Sequence, residues 1–209
     1  MAVSPRHTGS RTRGSTPPLA LHERAEADLA FVRATVERSA YFSAVPGAAG
    51  IAMGVTALGA AWLAAAQPTV HRWLFVWMVE AALAGAIGAI GIVRKARQRG
   101  VTLDGAPGRR FGLGLVPPII AGAALTFGCV QANAWTLLPA VWMLCYGIGV
   151  LAAGSVSFAR AVPLLGAWFV LLGSVAIASP AAWGDLYLAL GFGVGHIAAG
   201  AVIMRDHGG

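Results

Sequence analysis

The chain reads as an all-α polytopic membrane protein: six transmembrane helices forming three parallel helical hairpins, preceded by an amphipathic cytoplasmic helix. Three observations carry this reading. Six apolar stretches, at about residues 46–66, 73–93, 111–131, 136–156, 164–179 and 186–204, are 16–21 residues long, close to the ~20 that cross ~30 Å of hydrocarbon. Hydrophobic residues make up 57% of the chain and charged ones 11%, which no domain with a solvated surface matches. With six spans, fourteen of the fifteen Lys/Arg fall on one side and only Arg72 on the other. Lys/Arg bias in short loops fixes orientation, so both termini are expected in the cytoplasm of a bacterial inner membrane.

Residues 1–18 are Ser, Thr, Pro, Gly and Arg with almost nothing apolar, the composition of a disordered basic tail. Residues 19–44 follow as the amphipathic segment, with one helix expected over 19–43. Leu21, Ala25, Leu29, Val32, Val36 and Ala40 recur at spacings of four and three, a single helical stripe. Acidic Glu23, Glu26 and Asp28 lead and Arg33 and Arg38 follow, the order a helix macrodipole favours. Leu29, Phe31, Val32 and Val36 are its candidate contacts, to the inner leaflet, a protein partner or a second copy. The bland reading is a surface helix that merely precedes the membrane domain. Val45-Pro46 ends it, because proline and the residue before it disfavour helix.

The transmembrane domain is expected over 45–205, with 206–209 as a short tail. Its largest loop reads as Arg94–Arg110, broken by Gly100, Gly105, Pro107 and Gly108. Arg94, Lys95, Arg97, Arg99, Arg109 and Arg110 there match anionic headgroups, at about 1 kcal/mol per basic residue near the surface. A net charge of +7 placed beside the membrane in this way does not indicate nucleic acid. A cleavable signal peptide is not expected, since some 45 residues precede the first apolar run. Cys129 and Cys145 differ in expected depth by roughly 10 Å, too far for a disulfide, and read as small packing residues.

Spans three and four align with spans five and six at a constant offset of 46. Val116-Pro117 falls on Val162-Pro163, and the stretch Gly147–Val156 on Gly193–Val202. Val45-Pro46 opens the first hairpin in the same manner, and Trp62, Trp135 and Trp183 lie near the outer turns, where aromatic rings favour the interface. The rows Gly85/Gly88/Gly91, Gly147/Gly149/Gly154 and Gly193/Gly195/Gly200 let helices approach closely, which is how packing is driven in lipid. Over residues 111–205 this two-helix unit resembles the repeat of the HdeD-like acid-resistance membrane proteins. The resemblance is one of pattern and implies a small, non-enzymatic inner-membrane protein. In general build the chain also resembles many six-span proteins of high-GC bacteria.

Glu80 in span two and His196 in span six are the acid and base side chains well within the spans, at depths within roughly 5 Å of each other. An intramembrane ionisable group is costly and is a functional candidate. The functional reading is a proton- or cation-sensitive pair; the plainer one is a neutral, hydrogen-bonded Glu80 and a histidine filling a glycine-rich seam. Pro117-Pro118 is a candidate helix break that would expose carbonyls, as in transporters, with a simple kink as the alternative.

Gly195-His-Ile-Ala-Ala-Gly200 is similar to the last-span histidine segment of rhomboid proteases. Ser155, the one span-four candidate for the paired serine, lacks the following glycine, and the span-two His-x-x-x-Asn is missing. No phosphate loop and no His/Cys/carboxylate set at metal spacing occurs, so neither cofactor nor metal is expected. The reading adopted is a non-enzymatic inner-membrane protein, a partner-binding or stress-related component. The alternative is a small transporter or a proton- or ion-responsive protein using Glu80 and His196, which a water-filled cavity bordered by both residues would favour and a close-packed interior without one would rule out.

Overall fold

The computed structural model describes residues 42–207 together with Glu26, Asp28, Leu29, Phe31 and Val32. It divides into two units, Met1–Arg38 and Ser39–Gly209. In the first, the five described residues are helical, and Leu29, Phe31 and Val32 are exposed. Val36 and the rest of the stripe lie outside the described residues.

The second unit is all-helical. Its helices are α1 (Gly47–Ala65), α2 (Val70–Arg99), α3 (Ala106–Gln131), α4 (Leu138–Gly154, entered through a 3-10 turn at Trp135–Leu137), α5 (Ala161–Ile177), α6 (Gly184–Leu188) and α7 (His196–His207). A π-helical stretch, Ala189–Gly195, joins α6 to α7 without a break. Five of these rods are long and apolar enough to cross a membrane, the last one counted over Ala181–Asp206; α5, with 17 residues, is shorter. At 1.5 Å per residue α5 still reaches about 25 Å. Large apolar side chains such as Phe75, Leu113, Phe127 and Leu164 stand exposed on the outside, which a bilayer accommodates and water does not. The length and apolar surface of these rods are compatible with a membrane protein.

The ends of the rods follow from local chemistry. Pro46 precedes α1 in an extended conformation (ψ 118°). Thr69 caps α2, its hydroxyl accepting from the Arg72 amide. Gly100 ends α2 with φ 63°, a left-handed position that glycine adopts without cost. Arg94, Lys95, Arg97 and Arg99 continue α2 rather than beginning a loop, and Arg97 and Arg99 occupy its last turn, facing the negative end of the helix dipole. Pro107 sits at the start of α3, where its missing amide costs nothing. The loop expected over Arg94–Arg110 therefore contracts to Gly100–Gly105.

The segment before α1 also departs from expectation. The helix expected over 19–43 does not reach its end, because Phe42 is extended. The Phe42 amide donates to the Val156 carbonyl (2.7 Å) and the Phe158 amide to the Phe42 carbonyl (3.1 Å), a one-residue parallel bridge. The Phe42 ring is buried against Phe111, with centroids 4.5 Å apart.

Packing follows the glycines. α4 lies on α5 so closely that a Cβ on Gly147 would stand 2.8 Å from that of Phe169, and one on Gly166 would stand 2.6 Å from the Leu151 amide. α1 meets the last rod in the same way: a Cβ on Gly54 would meet the Gly193 carbonyl at 2.5 Å, and one on Gly200 the Gly47 carbonyl at 2.6 Å. Gly114 brings α3 against Ala153 of α4. The row on α2 behaves differently. Gly91 touches Ala49 and Pro46, Gly88 reaches only the Met53 thioether, and Gly85 faces open space. The expectation that all three rows are seams thus fails at Gly85. In their membrane-length windows α2 and α3 are only 11% and 6% buried, against 50% for the rod containing α4, so these two rods flank an unfilled side.

Gly147→Val should cost about 1–3 kcal/mol through overpacking, seen as a lowered melting temperature of the detergent-purified protein, whereas Gly85→Val should leave that temperature unchanged.

Candidate functional site

Where the glycine contacts stop, a cavity of about 650 Å³ opens among α1, α2, α3, α4, α5 and the last rod. Gly85 and Ala89 of α2 and Ile119 and Ala123 of α3 line it and are themselves exposed, so its mouth lies between α2 and α3. The wall is almost entirely apolar. Its volume falls within the range of ligand sites in proteins.

Glu80 and His196 both border this cavity, 7% and 5% exposed. Glu80 is placed by the apolar face of α2 that packs on α1, where Thr56 stands opposite. The Thr56 hydroxyl lies 2.9 Å from Glu80 Oε1 and also 2.9 Å from the Met53 carbonyl, so its single proton serves two acceptors. A carboxyl removed from water requires such a donor.

His196 is the first residue of α7 and is held by what precedes it. In a π turn the backbone winds wider than in an α-helix, and here side chains engage two of its carbonyls. Trp168 Nε1 donates to the Leu190 carbonyl (3.2 Å), and His196 Nδ1 lies 3.0 Å from that of Phe192. Because a carbonyl only accepts, Nδ1 carries the proton, and Nε2 then accepts from the Tyr146 hydroxyl at 2.8 Å; the tautomer is assigned from this network. Phe169 and Phe192 pack around the imidazole, with centroids 5.5 and 6.1 Å away. Both ring nitrogens are thus satisfied inside an aromatic box.

No hydrogen bond or ion pair joins Glu80 to His196 among the described residues; they share a cavity, each with its own partner. Ser155 is not brought to His196 either, its hydroxyl donating to the Ala152 carbonyl at 2.7 Å. Pro117 and Pro118 do not break α3, which runs through both. Close packing on α4 accommodates them, with Pro118 against the position of Gly149. Cys129 and Cys145 are free. Of the six basic residues expected at headgroups, five are exposed, but Lys95 is only 3% exposed. Among the described residues no three His, Cys, Asp or Glu side chains group to hold a metal.

Several residues around the site carry no signal in the sequence pattern. Asp185 Oδ1 accepts from Trp73 Nε1 (2.7 Å) and Trp77 Nε1 (3.1 Å), tying the start of α2 to α6. Trp73 stacks on Trp142, whose Nε1 donates to Thr126 Oγ1 (2.7 Å), and that hydroxyl in turn donates to the Gly122 carbonyl. Each partner is distant in sequence, and no periodicity announces the pairing. The tryptophans as a group were a usable signal, since a buried indole N–H needs an acceptor.

No family model matches the chain, nor does any curated protein or solved structure.

Tyr146→Phe leaves His196 Nε2 without a donor in a buried site and should destabilise by about 1–3 kcal/mol. In an unfolding series in detergent, Tyr146→Phe and His196→Leu together should lose less than the sum of the two single changes.

Proposed function

We propose that this is a non-enzymatic protein of the bacterial cytoplasmic membrane, crossing it six times with both termini inside, that takes a small, largely apolar solute from the bilayer into its central cavity. The observation that carries the proposal is the cavity itself, bordered by Glu80 and His196 and open between α2 and α3. Of the two roles that the sequence supports, this favours the small transporter or ion-responsive protein over a purely partner-binding component. An apolar wall facing hydrocarbon admits apolar solutes, and a few polar groups fix their orientation. Ion conduction in the usual sense would call for a polar lining.

The orientation is supported by charge. Arg97, Arg99, Arg109 and Arg110 flank the turn Gly100–Gly105, and Arg160 ends the α4–α5 connection; the turns at 66–69, 132–134 and 178–180 carry no Lys or Arg. Of the six basic residues expected to meet anionic headgroups, Arg94, Arg97, Arg99, Arg109 and Arg110 are exposed for that role and Lys95 is buried. Three parallel hairpins also make sense of the mouth. In such a ring the second rod of each hairpin abuts the first rod of the next. α4 on α5 and the last rod on α1 close two of these junctions through glycine. The remaining junction, α2 with α3, is where the cavity opens.

Two tests bear on this. A reporter active only in the periplasm should stay silent when inserted at Gly100–Gly105 and be active at Ala132–Ala134; the reverse pattern would overturn the orientation. A neutral apolar probe, triphenylmethane, should quench the fluorescence of the detergent-purified protein through Trp77 and Trp142. Ala84→Phe, which puts a ring into the cavity, should abolish that quenching without unfolding the protein. Equal quenching in the variant would remove the cavity as the binding site.

A further inference from the structure

If the cavity takes a solute, the groups that border it define the chemistry that solute must carry, and the inference rests on that function of the cavity. The polar groups around the cavity are matched among themselves, with one exception. The Thr126 hydroxyl donates to Gly122 and accepts from Trp142. Tyr146 donates to His196, which donates to Phe192. Glu80 is different: Thr56 serves Oε1, and among the described residues Oε2 has no partner. This carboxyl is more than nine-tenths buried and lines the cavity.

Among the described residues no Lys or Arg lines the cavity. The one unmet demand in an otherwise apolar space is therefore for a donor or a positive charge. Around it the wall supplies indole and phenyl faces from Trp77, Trp142, Tyr146 and Phe192, and thioethers from Met53 and Met78. Aromatic faces attract cations through their quadrupole, and methionine adapts to irregular apolar shapes. A bare metal ion does not fit, because one carboxylate cannot replace its hydration shell and the described residues supply no cluster of ligands. An anion would stand against Glu80 with no cation to hold it.

We propose that the cavity is a site for an organic cation with an apolar body, of the quaternary-onium or protonated-amine class, whose charge pairs with the Glu80 carboxylate while its body fills the space between α2 and α3. The ligand would enter through the mouth facing the bilayer, where amphiphilic cations concentrate. Thr56 stands beside one carboxylate oxygen of Glu80, which borders the cavity.

The test uses the full chain purified in detergent and three probes: tetraphenylphosphonium, its near-isosteric anion tetraphenylborate, and neutral triphenylmethane, which is one phenyl group smaller. Binding is read by tryptophan quenching. The wild-type protein should bind the cation best and refuse the anion. Glu80→Gln, which keeps an acceptor for Thr56, should weaken cation binding by roughly thirtyfold or more, as removal of one member of a buried charge pair does, and leave triphenylmethane binding unchanged. If Glu80→Gln does not fold, the wild-type ranking of the three probes decides by itself. Equal binding of cation and neutral probe, or a cation affinity indifferent to Glu80→Gln, would overturn the cation assignment while leaving the apolar site intact. Binding of none of the three would overturn the solute site and this inference with it.

Discussion

Between helices in lipid there is no hydrophobic force of the kind that drives folding in water, so the bundle depends on backbones coming close enough to touch. That closeness is available only where side chains are absent. Gly54 against Gly193, Gly47 against Gly200, and Gly147 against Gly166 and Phe169 are among the points at which the rods meet; a methyl group at Gly47, Gly54, Gly147, Gly166 or Gly200 would overlap a neighbouring backbone or Cβ atom, and one at Gly193 the Leu58 side chain. These contacts fix α1, α4, α5 and the last rod, which carry Thr56 and His196. His196 lies between Gly193 and Gly200 on the last rod, and Thr56 two residues beyond Gly54 on α1. The seam that binds the rods thus also fixes the depth of the cavity's polar groups.

Absence of a contact is as informative. α2 is secured at its ends, by the Asp185–Trp73–Trp77 cluster at its start and by Gly91 under Pro46 and Ala49 near its finish. Its middle, from Ala81 to Ala89, carries only small residues on the side that faces the cavity. A helix that rests on α1 but carries only small residues toward the cavity leaves room without losing its place. The apolar cores lie to either side of this gap, one around Phe169, Met143 and Leu188, the other around Phe42, Ala96 and Phe111.

The six rods were legible in the sequence because the bilayer imposes a length on apolar runs, and their limits were read to within a few residues at most ends. The charged extension of α2 was not, since Arg94 to Arg99 ends the apolar signal without ending the helix. Proline misled in one place: Pro117 and Pro118 look like a break, yet the neighbouring α4 holds α3 helical through them. Glu80 and His196 were found because an ionisable side chain at that depth is rare. Their partners Thr56 and Tyr146 were not, being unremarkable residue types brought close by packing between rods 24 and 50 residues apart.

The π-helical stretch from Ala189 to Gly195 has a bearing on how the last rod could work. A π turn is equivalent to one residue inserted into an α-helix, and each such residue turns everything after it by about 100°. Were the stretch to rewind as α-helix, the imidazole would swing away from Tyr146 and Gly200 would leave its place against Gly47. Both anchors lie just beyond the stretch on its C-terminal side, and together they hold it wound. An occupant of the cavity that displaced the tyrosine hydroxyl would release one of them and leave the glycine contact to hold the winding alone.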